Sequence, residues 1–180
     1  GMAGCQGGIM HMKKAVIFDL DGTLSDSIAS MKYCGDRALA PFGYGPFPES
    51  DYKYFVGDGA ANLVKRALVA AGDTELVHFE EAFALYKEYF AKDCMYQVKP
   101  YREIPELLAE LKRQGLKIAV LSNKPHDQTI DVIETLFGRD YFDMIQGQKD
   151  GLPIKPDPSG VFVILKEFGL TADDILYLGD

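Results

Sequence analysis

The sequence predicts an α/β fold in which a parallel sheet carries helices on both faces and a helical unit interrupts the chain after the first strand. Two features carry that expectation. A short β-branched run near 14–18 is followed by a long helical stretch, and from Pro100 onward strand and helix patterns alternate regularly. Alternation of this kind closes into a parallel sheet, and right-handed crossovers place helices on both of its faces. The expected architecture is a Rossmann-like core of residues 13–24 and 96–180 with a four-helix cap inserted at 25–95.

Each element has a local cause. Ser27 is suited to cap a helix that runs to about Ala40 and stops at Pro41. FGYGPFPES is rich in glycine and proline and reads as a loop, after which Ser50 can cap a short helix ending near Gly57. A helix follows Gly57-Asp58-Gly59 as far as Ala71, and another is expected from about Glu75 to Asp93. In the latter Leu76, Phe79, Phe83, Tyr86 and Phe90 recur at steps of three and four, a stripe for packing on neighbouring helices. Ile104, Leu107, Leu108 and Leu111 mark the next helix, KIAVLS a strand, 127–137 a helix, FDMIQ a strand, Val161 to Phe168 a helix, and ILYLG the last strand.

Composition narrows the function classes. The chain has 180 residues, 47% hydrophobic and 26% charged, enough for one domain with a modest insertion. Its net charge of −8 disfavours nucleic acid or an anionic membrane as main partner, and no apolar run reaches the roughly 18–20 residues that span a bilayer. Cys5, Cys34 and Cys94 are odd in number and lack metal-ligand spacing, so they read as free thiols in a reducing cytoplasm; His11, His78 and His126 show no ligand spacing either. The opening GMAGCQGGIMHM has no secretory core, and residues 1–12 read as a tag remnant or disordered arm.

Chemistry concentrates at strand ends. Asp19 and Asp21 stand two apart where the first strand breaks into a glycine turn, so both side chains can point to one side of an open crevice. Two unpaired carboxylates there would raise each other's pKa, which makes sense if a cation is shared or if one acid is kept protonated for proton transfer. A plain Asp-Gly turn accounts for the pair taken alone. Ser122-Asn123, Lys155-Pro156-Asp157-Pro158 and Gly179-Asp180 each lie where a strand ends or in the loop beyond, and ligands of open parallel sheets bind at such ends.

Asp-x-Asp-Gly-Thr, then Ser, then Lys, then an acidic end after the fourth strand, is an ordered pattern. In it the chain resembles the haloacid dehalogenase superfamily, on its phosphatase branch, from about residue 14 to the last. DLDGTLSDS, FVGDGAANLVKRAL, LSNKPH, GLPIKPDPSG and ILYLGD most resemble phosphoglycolate phosphatases and their close relatives. The resemblance implies Asp19 as nucleophile forming an aspartyl phosphate, and Asp21 as general acid and then base. Thr23, Ser122 and the amides following Asp19, at Leu20 and Gly22, would hold phosphoryl oxygens together with Asn123, and Lys155 would neutralise the transferring group. Magnesium is the implied cofactor, on Asp19, Asp21 and Asp180.

The substrate implied is a small phosphorylated metabolite, with 2-phosphoglycolate first, acted on by a cytoplasmic monomer or homodimer. Gly57, Asp58 and Gly59 read either as an ordinary helix-opening turn or as a loop whose amides hold a small carboxylate. Lys124, beside Asn123, can reach the crevice, whereas Lys65 and Arg66 read as solvated helix charges. Glu103 stands where many relatives carry glycine. Relatives continue past the Gly-Asp pair, so a C-terminal strand-helix unit is expected to be missing. A β-phosphoglucomutase-like phosphomutase and a non-catalytic binding protein of the same fold are the alternatives.

Overall fold

The computed structural model describes residues 12–179. Asp180, expected to ligate metal, and residues 1–11 of the opening arm lie outside the described residues. The sheet is built from β1 (Ala15–Phe18), β4 (Lys117–Pro125), β5 (Met144–Gln148) and β6 (Ile175–Leu178) in the order β5-β4-β1-β6, with every pair parallel. The α/β fold with a parallel sheet is therefore as the sequence predicts.

The interior strands are continuous apolar runs because both faces are covered. Along β1, Val16 and Phe18 enter one buried cluster and Ile17 the other; along β4, Ile118 and Val120 alternate with Ala119 and Leu121 in the same way. The first cluster is closed by Ile104 and Leu108 of α5 (Ile104–Arg113) and by Val132 and Ile133 of α6 (His126–Phe137). The second is closed by Ile164 of α7 (Ser159–Phe168). Removing each large apolar side chain from water contributes roughly 1.5–3 kcal/mol. Leu107, one of the apolar residues that mark α5 in the sequence, is 38% exposed, because it falls on the outer face of the helix.

Four α-helices lie between β1 and α5: α1 (Ile28–Leu39), α2 (Glu49–Phe55), α3 (Ala60–Ala71) and α4 (Phe79–Asp93). Met31, Cys34, Tyr52, Leu63, Leu68, Tyr86 and Phe90 form their shared interior, continuous with the first sheet cluster. Both chain crossings between this insert and the sheet are short strands, β2 (Ser25–Asp26) and β3 (Lys99–Pro100), paired antiparallel to each other.

Helix starts differ from the simple capping expectation in three places. Ser50 lies inside α2, which begins at Glu49 behind Pro48. α4 begins at Phe79 because Leu76 adopts a left-handed φ of 56° and the Asp73 carboxylate accepts the amides of Val77 and His78 at 2.9 and 3.0 Å. Ser27 precedes α1 without making a side-chain cap bond. The FDMIQ strand also starts later, at Met144, since Phe142 is buried and the Asp143 carboxylate already accepts the Ile118 amide. Among the described residues, no helix is long and apolar enough to cross a membrane.

Candidate active site

The carboxyl ends of β1 and β6 are level, with Phe18 opposite both Val120 and Leu178, and β4 runs on past them to Pro125. The chain leaves β1 toward β4 and β5 and returns on the other side as β6, so the strand order reverses beside β1. Asp19 emerges at that reversal, its amide donating to the Leu178 carbonyl at 2.9 Å. Glycine is required next to it: a Cβ on Gly179 would lie 2.7 Å from the Asp19 Cβ. A crevice of about 910 Å³ opens here, with Asp19, Asp21, Gly57, Asp58, Asn123 and Lys155 on its walls.

Lys155 Nζ lies 3.0 Å from Asp19 Oδ1. The same ammonium donates to the Leu121 carbonyl at 3.0 Å and to the Tyr177 hydroxyl at 2.9 Å, which aims it at the carboxylate. The Asp19 carboxyl lies above the usual carboxylate range, because burial raises it by more than the Lys155 charge and hydrogen bond lower it. A half-buried carboxylate paired with one cation at the mouth of a crevice is placed to act as a nucleophile.

Asp21 is gripped from two sides. The Ser27 hydroxyl donates to its Oδ1, and Lys124 Nζ lies 3.2 Å from its Oδ2. Ser27 thus spends its side chain on Asp21 instead of on the start of α1. The glycine at 22 has φ 83°, which lets the chain turn sharply after the second aspartate.

Asn123 ties three segments together. Its Nδ2 donates to the Gly57 carbonyl at 2.9 Å and to the Lys155 carbonyl at 3.2 Å, while its Oδ1 accepts the Lys155 amide at 2.8 Å. Ser122 is buried, its Oγ accepting the Lys124 amide at 3.1 Å. Arg66 is no free helix charge: it pairs with Asp58 and reaches the Phe55 carbonyl at 3.4 Å, bracing the loop before α3.

The turn after Asp19 differs from a ring of free donors. The Leu20 amide donates to Asp19 Oδ1 at 2.7 Å, the Gly22 amide to Ser25, and the Thr23 amide to Leu20. Thr23 is absent from the crevice wall and Leu20 is fully buried. Gly22 does reach the wall; Ser122, Gly59 and Lys124 line a smaller recess beside it. Sequence reasoning missed Ser27 and Tyr177 as partners of the site. Strand alternation could have flagged Tyr177, which stands two residues before Gly179 and packs on the same side as Ile17 of β1.

Residues 16–180 match the family described as haloacid dehalogenase-like hydrolase. The chain belongs to that family. Pseudomonas aeruginosa phosphoglycolate phosphatase 1 is 34% identical over 174 residues, covering 94% of this chain and 63% of that protein. The Yersinia pestis phosphoglycolate phosphatase is also 34% identical, over 93% of this chain and 72% of its own length. The chain therefore spans about two thirds of the length of these curated relatives. Its fold is shared with the crystal structure of a predicted phosphoglycolate phosphatase from Haemophilus somnus, at TM-score 0.86 and 26% identity over 93% of this chain and 77% of that one. A Lactobacillus delbrueckii protein of the same predicted activity gives TM-score 0.84 and 30% identity over 94% and 79%.

Proposed function

We propose that this haloacid dehalogenase-like hydrolase is a phosphatase of small phosphate monoesters, with 2-phosphoglycolate as its first substrate. The observation that carries the proposal is Asp19 at the strand reversal, half-buried and paired with Lys155 at 3.0 Å, with a second carboxylate two residues on. The relatives' named activity points the same way.

Asp19 attacks phosphorus in line; the new bond is carboxylate oxygen to phosphorus, and the bond to the leaving alcohol oxygen breaks. Asp21 gives that oxygen its proton, then takes one from the water that cleaves the aspartyl phosphate. Lys155 offsets the negative charge on the transferring group, and Ser122 and Asn123 orient it from the end of β4. The insert covers the crevice and keeps bulk water from the reaction.

A hard divalent cation suits the donor set, which is all oxygen and includes no thiol or imidazole. Among the described residues no three acidic, histidine or cysteine groups converge. Asp19 and Asp21 supply two donors, and Asp180 is the third we propose. Magnesium, when bound there, screens the repulsion between a dianionic phosphate and the carboxylates. Cys34 and Cys94 are free and buried, which accords with a cytoplasmic protein, as monomer or homodimer.

The test is magnesium-dependent phosphate release from 2-phosphoglycolate beside β-glucose 1-phosphate, pyrophosphate and nucleoside monophosphates, by the wild type and by Asp19→Asn. Preferred release from phosphoglycolate that vanishes in the variant, with an unchanged thermal melt, supports the proposal. Release that survives the substitution removes Asp19 as nucleophile. Conversion of β-glucose 1-phosphate to its isomer would make the protein a phosphomutase.

A further inference from the structure

Behind Asp21 lies a recess separate in shape from the main crevice. Its volume is about 50 Å³, and its walls come from both the sheet end and the insert: Asp19, Asp21, Ser122 and Lys124 from the first, Gly59, Leu63, Tyr86 and Phe90 from the second. Lys124 dominates it chemically. Its side chain is only 2% exposed, and its ammonium sits 4.6 Å from the centre of the Phe90 ring.

An ammonium has three hydrogens to donate. Asp21 Oδ2 is at ion-pair distance from Nζ, yet not in hydrogen-bonding geometry, and Nζ is one of two buried side-chain polar atoms among the described residues that lack a hydrogen-bond partner. A buried cation held this way is costly unless an acceptor completes it. Asp19 and Asp21 line the same recess without hydrogen-bonding to Nζ, the Ser122 hydroxyl accepts the Lys124 amide instead, and Leu63, Phe90 and the ring of Tyr86 make up the apolar part of the wall. Gly59 and Ala60, where α3 begins, also line the recess, and the positive end of a helix favours an anion. The φ of 90° at Gly59 strains any residue with a side chain, so glycine is what lets α3 begin here.

Resting on the phosphatase reading above, we infer that Lys124 is a specificity-determining residue, binding a carboxylate on the leaving group of the substrate. The recess adjoins Asp19 and Asp21, so the acceptor must belong to the molecule whose phosphate Asp19 attacks. Its volume admits a group of a few non-hydrogen atoms and excludes a sugar ring. Phosphate on a two-carbon acid satisfies both limits: phosphorus at Asp19, one methylene as spacer, carboxylate at Lys124. The apolar wall packs on the methylene and rejects hydroxyl-rich leaving groups, whose oxygens would go unpaired there.

The experiment compares 2-phosphoglycolate with ethyl phosphate, which has the same number of carbons and no carboxylate, in the full-length wild type and in Lys124→Met. A hydrogen-bonded charge pair is worth about 10- to 100-fold in affinity. The variant is expected to lower the ratio of kcat/KM for phosphoglycolate over ethyl phosphate by that factor, with the loss carried by KM for phosphoglycolate. Equal loss on the two substrates, carried by kcat, would mean that Lys124 only positions Asp21, and would overturn the inference while leaving the phosphatase reading intact. A wild type that hydrolyses both without preference overturns it as well. Hydrolysis of neither by folded, magnesium-loaded wild type would remove the phosphatase reading itself and this inference with it. If a thermal melt shows Lys124→Met unfolded, Lys124→Gln supplies the same ratio.

Discussion

Replacing Asn123 by alanine tests whether one amide holds the site together. Three hydrogen bonds disappear at once: to the Gly57 carbonyl at 2.9 Å, to the Lys155 carbonyl at 3.2 Å and from the Lys155 amide at 2.8 Å. Gly57 is exposed and Lys155 half-buried, so the abandoned groups can reach water and escape the full penalty of burial. At roughly 1 kcal/mol net for each bond, the loss is about 3 kcal/mol. For a chain of this size that lowers Tm by about 6–12 °C. Activity should fall separately from stability. Lys155 Nζ keeps its bonds to Leu121 and Tyr177, but its backbone loses the amide anchor, and small misplacements of a charge at phosphorus cost about 10- to 100-fold in rate. Urea unfolding gives the first number and steady-state phosphate release below the melting range gives the second. A Tm within about 2 °C of wild type, or a destabilised variant with wild-type kcat, would refute the reasoning from a shared tether.

Two further outcomes concern the insert. Gly35→Ala gains helix propensity of about 1 kcal/mol but drives a methyl into the buried Tyr52 ring, 2.7 Å from its Cε1 and 2.9 Å from its Cζ, so a net loss of about 1–2 kcal/mol is expected by calorimetry; a raised Tm would show that α1 and α2 separate freely. Asp73 is held below the usual carboxylate range by the amides of His78 and Val77, so its stabilisation is complete above the unfolded value of about 3.9 and is lost as pH falls through its lower folded value. Asp73→Asn should therefore melt below wild type at pH 7 and converge with it in strong acid, whereas a gap that persists there would mean the carboxylate charge is irrelevant.

What could be seen in the sequence follows how local its cause is. The strand run AVIF, the glycine turn behind Asp21 and the 3.6-residue stripe through Tyr86 and Phe90 each arise within a dozen residues, and the parallel sheet follows from them. What escaped depends on partners far along the chain. Lys155 is aimed by Tyr177, 22 positions later, and Asn123 reaches back 66 positions to Gly57. Ser27 has the composition of a helix cap and a better offer from Asp21; both bonds are plausible from sequence, and only the fold decides between them. The amides at Leu20 and Gly22 are expected from the sequence to face a ligand, but a turn this tight satisfies them internally.

The paired crossings between sheet and insert have a mechanical consequence. Two independent linkers would let the helices slide, twist or tilt over the crevice. Here Ser25 and Asp26 are zipped to Pro100 and Lys99, and the Tyr101 amide bonds to the Leu24 carbonyl at 3.1 Å. A two-stranded ribbon bends easily across its flat side and resists shear in its own plane. Both crossings are thus tied at one place, while the interior of the insert runs on into the sheet cluster. Asp26 and Tyr101 stand at that junction and also border the crevice, so a molecule seated there lies beside the one place where the chain enters and leaves the insert.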